Sequence, residues 1–175
     1  MERLNQSSQQ KISYRPFRAS DLELRVKWLK NPSVKQNMGW QIREGVDLDD
    51  QKKWFKKYQK DKYDKRFIIE ADNKPVGMVG LTEIDPLDKN ADLYIMIGED
   101  EYRGRGIGRQ ACEYIIDLCF KKLKLHKLNL TVHGHNTRAI NLYHSLRFVD
   151  EGHIRDQIFF NGRYHDEIHM GLINK

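Results

Sequence analysis

The stretch from Ala91 to Gln110, ADLYIMIGEDEYRGRGIGRQ, sets the organisation of this 175-residue chain. It begins with an apolar run from Leu93 to Ile97, which predicts a buried or half-buried strand. An acidic turn closes the run, and a glycine-spaced basic loop, RGRGIG, follows at 103–108 and leads into a helical pattern. Strand, loop and helix together predict a phosphate cradle, because the first turn of a helix has unpaired N–H groups and glycines let a diphosphate approach them.

Two other phosphate-binding motifs are excluded by the residues around this loop. A Walker loop requires lysine and then serine or threonine after its last glycine, whereas Gly108 is followed by Arg109 and Gln110. A dinucleotide-binding fold places its glycine loop after the first strand, with an acidic residue roughly 20 positions later at the end of a second strand. Here the loop lies past the middle of the chain, and the residues after it are helical in pattern.

The loop resembles motif A of the GNAT superfamily of N-acetyltransferases, which reads Gln or Arg, two variable residues, Gly, one variable residue, then Gly or Ala. Arg103, Gly106 and Gly108 fill those places. A second segment, from Asn136 to Phe148, is similar to motif B of the same superfamily. The resemblance covers the chain from Ile12 to Ile173. It is nearest to the branches that acetylate ribosomal proteins, polyamines and nucleotide amino sugars.

The resemblance implies an α/β (α+β) fold with a single mixed, mostly antiparallel central sheet, flanked by helices and splayed at the central strand. Residues 1–10 are predicted to form a polar tail, and residues 11–175 a single N-acetyltransferase domain. A chain of this length can bury an ordinary core, and no repeat or linker indicates a second domain.

Local patterns predict the order of the helices and strands. They predict strands at 11–17, 66–71, 75–83, 91–97, 125–132, 148–154 and 168–173, a hairpin at 157–164, and helices from Ser20 to Asn31 and at 48–60, 110–123 and 138–146. Hairpin turns are predicted at 72–74 and at Asn161 Gly162. The segment from Ser33 to Asp47 has weak periodicity, and in relatives this region shapes the acceptor pocket.

Composition limits where the protein acts and what it binds. The N-terminus, MERLNQSSQQ, has no apolar signal region and no segment approaches ~20 apolar residues, so we expect a cytoplasmic protein with no membrane partner. The net charge of +6 is spread over scattered lysines without an aromatic-interleaved basic motif, so no nucleic-acid partner is expected. Cys112 and Cys119 lie seven apart in one predicted helix, and ~10 Å of helix rise exceeds disulfide reach. We expect both to be buried thiols.

The resemblance implies that acetyl-CoA is the co-substrate. Its diphosphate is expected on the N–H groups of the glycine loop, and its pantetheine arm is expected to pair with the central strand as an added strand would. One backbone N–H of that strand would face the acetyl oxygen, and the resemblance leaves open which one. Asn136 is expected to contact the cofactor arm, to cap its helix, or to do both. The expected cofactor-binding residues are Ile95, Met96, Ile97, Arg103, Gly104, Arg105, Gly106, Ile107, Gly108 and Asn136.

The resemblance also implies roles for three catalytic residues. Tyr143 is expected to be the general acid, because a phenol with a pKa near ~10 is protonated at neutral pH; packing against the sheet is the alternative. Asp92 or Glu83 is expected to act as base through water, and the alternative is that both are solvated carboxylates at strand ends. The seven histidines form no convincing ligand set, so no metal is expected. No nucleophilic triad is evident, which disfavours covalent catalysis.

The predicted function is an acetyl-CoA-dependent N-acetyltransferase, an acyltransferase in which a primary amine attacks directly within a ternary complex. The acceptor is expected to be a small molecule, either a nucleotide amino sugar or a polyamine. The positive net charge argues against a polyamine unless a local acidic patch overcomes it. The alternatives are an N-terminal acetyltransferase of the ribosomal-protein type, a non-catalytic acyl-CoA-binding module and an RNA-binding protein. A homodimer is an open option.

Overall fold

Seven strands form one sheet in the spatial order β1-β2-β3-β4-β5-β7-β6. The computed structural model describes residues 10–38 and 46–175. The strands are β1 Ile12–Pro16, β2 Lys65–Ala71, β3 Lys74–Asp85, β4 Asn90–Ile97, β5 Lys127–His133, β6 Val149–Phe160 and β7 Arg163–Ile173. Among the described strands only β4 and β5 pair in parallel. The predicted mixed, mostly antiparallel sheet is confirmed.

Helices cover both faces of this sheet. They are α1 Leu22–Lys30, α2 Pro32–Met38, α3 Leu48–Tyr58, α4 Ile107–Asp117 and α5 Thr137–Ser145. Successive side chains of a strand point to opposite faces, so β4 contributes to two clusters. Leu93 packs with α4 and α5, whereas Tyr94 and Met96 pack with the helices before β2. None of the described helices has the length and apolar composition needed to cross a bilayer.

The helix α2 was not predicted, because Asn31 Pro32 was interpreted only as a helix end. Asn31 does end α1, but its side-chain oxygen accepts a hydrogen bond from the N–H of Ser33 at 2.9 Å, and Pro32 begins a new helix. Proline lacks an N–H and has a fixed φ, so it suits the first position of a helix. Three described helices therefore lie between β1 and β2 where two were predicted. Residues 39–45 and 1–9, which include Gly39, Trp40 and most of the predicted tail, lie outside the described residues.

The C-terminal part of the sheet also differs from the prediction. The strand predicted at 148–154 and the first arm of the hairpin predicted at 157–164 form one long strand, β6, and the second arm continues through 168–173 as β7, with the turn at Asn161 Gly162 as predicted. The register of β6 shifts twice, and Asp156 has a φ of +54°. Most side chains of β6 are exposed because it lies at the sheet edge. Its sequence therefore lacks the alternation that marks a half-buried strand.

The sheet opens into a V at its centre. β4 and β5 pair only from Asn90 to Asp92, opposite Lys127 to Asn129. Beyond that point both strands continue, to Ile97 and His133, without pairing with each other. The predicted splay at the central strand is confirmed, and the V leaves peptide groups of β4 without a strand partner.

The end of β4 is anchored to α1 by a tryptophan. The Trp28 side chain is fully buried, and a Cβ added to Gly98 would overlap its ring. The indole Nε1 donates a hydrogen bond to Glu99 Oε1 at 2.9 Å, and Lys27 contacts the same carboxylate. Only glycine fits between the strand end and this indole, so α1 and the loop after β4 are held together.

Candidate active site

One cavity of about 780 Å³ runs from the loop after β4 through the V to residues of α2 and β7. Eleven of the thirteen predicted site residues line it; the two that do not are Arg105 and Ile107. Arg105 is exposed, with its guanidinium 5.2 Å from the Tyr102 ring centre. The Ile107 side chain is buried in the core, so only its N–H is available to a ligand.

The glycine loop presents a row of unpaired N–H groups. Within the described chain, the N–H groups of residues 104–109 donate no backbone hydrogen bond, and the next one, that of Gln110, donates to Gly106 at 3.2 Å. Gly104 and Gly106 have φ angles of +83° and +80°, a region that glycine adopts without steric cost. A Cβ added to Gly106 would have no atom within 4 Å, so the space in front of the loop is open. These features fit a bound diphosphate.

The Arg103 side chain is turned away from this loop. Its Nη2 donates to the carbonyl of Ile97 at 2.8 Å and its Nη1 to the carbonyl of Ser33 at 3.2 Å. The guanidinium therefore ties the end of β4 to α2. Arg138 is the cation that approaches the loop, since its Nη2 would lie 3.3 Å from a Cβ on Gly104. Sequence reasoning missed Arg138, although a cation in the first turn of a helix opposes the helix dipole and so indicates another role.

The direction of the β4 peptide groups follows from hydrogen bonds at the two ends of the strand. The N–H of Gly98 donates to Val76 on β3 at 2.9 Å, and the carbonyl of Lys89 accepts from Lys127 on β5 at 3.1 Å. Successive peptide groups point to opposite sides of a strand, and no register shift falls within β4. Even-numbered residues of β4 therefore point towards β3, and odd-numbered residues towards β5.

This alternation shows which of Ile95, Met96 and Ile97 can offer a backbone N–H to a ligand. The peptide group of Met96 points towards β3 and is not available to a ligand in the V. The N–H groups of Ile95 and Ile97 point into the V, ~7 Å apart along the strand. The Ile97 carbonyl already accepts a hydrogen bond from Arg103. Two outward N–H groups thus remain at the edge that an added strand would use.

The helix α5 brings Tyr143 and Asn136 to the same cavity. The Tyr143 ring is buried and meets Phe148 edge to face, with centroids 5.8 Å apart. Burial, and secondarily Cys112, raises the pKa of the Tyr143 phenol, so the hydroxyl is protonated at neutral pH. Asn136 Oδ1 accepts from the N–H of Ala139 at 3.2 Å, which confirms the predicted helix cap.

The far half of the cavity lies on a polar face of β5 and β7. On β5 the residues that face the core alternate with Asn129, Thr131 and His133. On β7 they alternate with His165, Glu167 and His169. Sequence reasoning did not find this face, because it depends on which residues of two distant strands stand opposite each other. No group of three or more His, Cys, Asp or Glu in the described ranges could hold a metal ion.

Charge is separated along the cavity. Its described carboxylates are Glu83, Asp92 and Glu167, and its described cations are Arg103, Arg109 and Arg138. The cations lie on the glycine loop and the first turns of α4 and α5, whereas the carboxylates lie on the strands. Burial, and secondarily the neighbouring Glu83, raises the pKa of Asp92. The cavity therefore suits an anion at one end and a cation at the other.

Known proteins resemble this chain in both sequence and structure. The model of the acetyltransferase (GNAT) domain family matches residues 11–149. The chain is 32% identical over 160 residues to the spermidine N(1)-acetyltransferase of Escherichia coli (strain K12), covering 91% of this chain and 84% of that protein. It matches the crystal structure of spermidine N-acetyltransferase from Vibrio cholerae in complex with CoA and spermine with a TM-score of 0.85 and 30% identity, covering 95% and 96% of the two chains. A dodecameric structure of the Vibrio cholerae enzyme matches with a TM-score of 0.81 and 30% identity, covering 95% of each chain.

Proposed function

Because the chain belongs to the GNAT family of acetyltransferases, it is an acetyl-CoA-dependent N-acetyltransferase, and we propose that its acceptor is a polyamine. The observation that carries the proposal is the charge separation along the cavity. A polyamine is a polycation, and the described carboxylates of the cavity, Glu83, Asp92 and Glu167, all lie on its strands and not on the glycine loop. This patch answers the objection from the net charge of +6, because the local field decides binding. The relatives named as spermidine acetyltransferases support the same acceptor class.

A nucleotide amino sugar fits this cavity less well. Its phosphates would have to lie among the carboxylates, since the described arginines of the cavity stand on the glycine loop and the first turns of α4 and α5, where the CoA diphosphate is proposed to bind, and no described lysine lines the cavity. An uncompensated anion beside like charges costs several kcal/mol. The polyamine is therefore favoured over the other small acceptor that the sequence left open.

Acetyl-CoA supplies the activated acyl group as a thioester, and the backbone of this chain is suited to hold it. The N–H groups of residues 104–109 would bind the diphosphate, with Arg138 beside them. The outward N–H groups of Ile95 and Ile97 would pair with the pantetheine arm, and one of them would donate to the acetyl oxygen as negative charge develops there. Arg103 keeps this strand end in place through the Ile97 carbonyl.

Two side chains are proposed to move protons. Asp92 would accept the proton of the attacking amine, and its raised pKa makes it a stronger base than an ordinary aspartate. Asp92 lies three residues before Ile95, or ~10 Å along β4, so the proton would travel through water. Tyr143 would donate its hydroxyl proton to the sulfur as the C–N bond forms and the C–S bond breaks. The phenol then regains a proton from solvent.

We also propose that the protein is a homo-oligomer. The β6–β7 hairpin exposes Val149 and Phe159 on β6, a 12-residue strand at the sheet edge, and Tyr164 on β7, each more than 60% accessible. Apolar side chains on an open sheet edge favour association. A related enzyme forms a dodecamer. Light scattering that found only monomers over a wide concentration range would contradict this proposal.

The acceptor is tested by measuring CoA release with acetyl-CoA and three kinds of amine. Spermidine and spermine represent polyamines, a nucleotide amino sugar represents anionic acceptors, and a peptide with a free N-terminus represents proteins. We expect kcat/KM to be highest for the polyamines. A higher kcat/KM for the sugar or the peptide would overturn the proposal.

A further inference from the structure

We propose that His133 and Glu167 form a subsite for the acceptor nitrogen that is not acetylated, so that the enzyme selects di- and polyamines over monoamines. The inference rests on the polyamine acceptor proposed above, and it names the residues that would recognise that class.

The two residues stand directly opposite each other on neighbouring strands. His133 ends β5, and the register of β5 with β7 pairs it with Glu167. Residues in this relation have Cβ atoms about 5 Å apart on the same face of a sheet. Both line the cavity. A small ligand group in the cavity can therefore contact both side chains at once.

His133 carries a polar atom that the protein leaves unsatisfied. The residue is only 8% exposed, and its Nδ1 has no hydrogen-bond partner among the described residues. An unpaired buried polar atom is destabilising, and a ligand that donates a hydrogen bond to it removes that cost. Burial lowers the pKa of His133, despite opposing contributions from Gln36 and Glu167, so the ring is neutral at pH 7. A neutral imidazole accepts a hydrogen bond, and a carboxylate attracts a positive charge. An ammonium group both donates hydrogen bonds and is positively charged, so it suits this pair.

Aromatic rings supply an apolar wall beside this pair, and the His135 ring centroid lies 5.3 Å from that of His133. His135 Nε2 donates to the Gln36 carbonyl at 3.1 Å, and its ring stacks on Phe160 with centroids 4.2 Å apart. Phe160 also lines the cavity, where it can contact methylene groups. Glu167 is partly buried, and its one recorded ion-pair contact among the described residues is with His169 Nε2 at 3.4 Å. That contact is too poorly aligned to count as a hydrogen bond, so the carboxylate is available to a ligand.

The spacing along the cavity fits two nitrogens on one chain. Asp92 pairs with Asn129 on β5, and His133 lies four residues further along the same strand. The two ends of this polar face are thus ~13 Å apart. Along the strands, the acetyl group proposed beside Ile95 or Ile97 lies nearer the level of His133 than Asp92 does, so the two nitrogens need less than this spacing. A chain of several methylenes can place one nitrogen near the acetyl group and another at His133. A monoamine has nothing to place there.

The test compares 1,5-diaminopentane with pentylamine at saturating acetyl-CoA. The two acceptors share a carbon chain and a reacting amine, so the ratio of their kcat/KM values isolates the second nitrogen. We expect the wild type to favour the diamine by about 10- to 100-fold, the effect of a charge-assisted hydrogen bond. Glu167→Gln should reduce this ratio by about tenfold or more, mainly by raising KM for the diamine. Asp117→Asn, which removes an exposed carboxylate on α4, should leave the ratio unchanged.

His133 is tested by two substitutions, with thermal denaturation as a check that each variant folds. His133→Phe should lower the ratio because it removes the hydrogen-bond acceptor. His133→Gln retains an acceptor and should keep more of the ratio. A wild type that does not prefer the diamine, or a Glu167→Gln variant with the wild-type ratio, would overturn the subsite. A wild type that acetylates other amines but no polyamine would instead overturn the proposed function.

Discussion

Replacing Gly106 with alanine should separate cofactor binding from folding stability. Gly106 has a φ of +80°, and a Cβ there would have no atom within 4 Å. The substitution therefore causes no clash, and its cost is that of a left-handed conformation, about 1–2 kcal/mol. For a domain of this size, 1 kcal/mol lowers Tm by roughly 2–4 °C. We expect thermal denaturation to show a Tm lower by about 2–8 °C.

The effect on CoA binding should be larger than this stability change suggests. The new methyl group would lie in the open space in front of the N–H groups of residues 104–109, where the diphosphate is proposed to bind. Loss of one charge-assisted hydrogen bond costs about 1.5–3 kcal/mol, or roughly 10- to 150-fold in Kd. Calorimetry should show this loss for CoA. Pantetheine, which lacks the nucleotide and its phosphates, should bind both proteins with similar affinity.

Gly162→Ala is the matched control for this prediction. Gly162 has a φ of +77° and equally open surroundings, but it lies in the β6–β7 turn. It should lose a similar amount of stability while its Kd for CoA stays within about twofold of the wild type. If the two variants bound CoA equally well, the assignment of the diphosphate to the glycine loop would be refuted.

Three further substitutions test the proposed catalytic groups and the packing that positions them. Tyr143→Phe should lower kcat by about 10²- to 10⁴-fold, the usual contribution of a general acid, with little change in the calorimetric Kd for acetyl-CoA. Unchanged turnover would rule out Tyr143 as the acid. Burial and then Glu83 raise the pKa of Asp92. Because only its ionised form accepts a proton, wild-type kcat/KM should fall as pH drops through that raised pKa. Asp92→Asn should lose this acid limb and most of the rate, and an acid limb that persists would contradict its role as base. Gly98→Ala should lower the free energy of unfolding by about 1–3 kcal/mol, because the Cβ would overlap the buried Trp28 ring. Denaturant titration measures this, and wild-type stability would show that the packing is wrongly described.

The parts of the fold that follow from local pattern could be predicted from the sequence. The glycine loop and the cap at Asn136 depend on residues a few positions apart, and the structure has them where expected. The helix α2 was missed because Asn31 ends one helix and Pro32, directly after it, begins the next. The strand β6 was divided because its edge position removes the alternation on which strand prediction depends.

The far half of the site could not be predicted in the same way. His133 and Glu167 are 34 positions apart, and only the register of β5 with β7 brings them together. The role of Arg103 has a similar origin, because its partners are main-chain carbonyls on β4 and α2. The motif predicts that an arginine stands at this position, but it does not predict where the guanidinium points.

The V between β4 and β5 makes this an unfinished sheet. Peptide hydrogens that another strand would normally cover face solvent until a ligand lies against them, so the coenzyme doubles as a structural part of the fold. A ligand at 100 times its Kd adds about 2.7 kcal/mol to the free energy of unfolding. The lifetime of the folded molecule in a cell would then rise and fall with the local supply of acetyl-CoA.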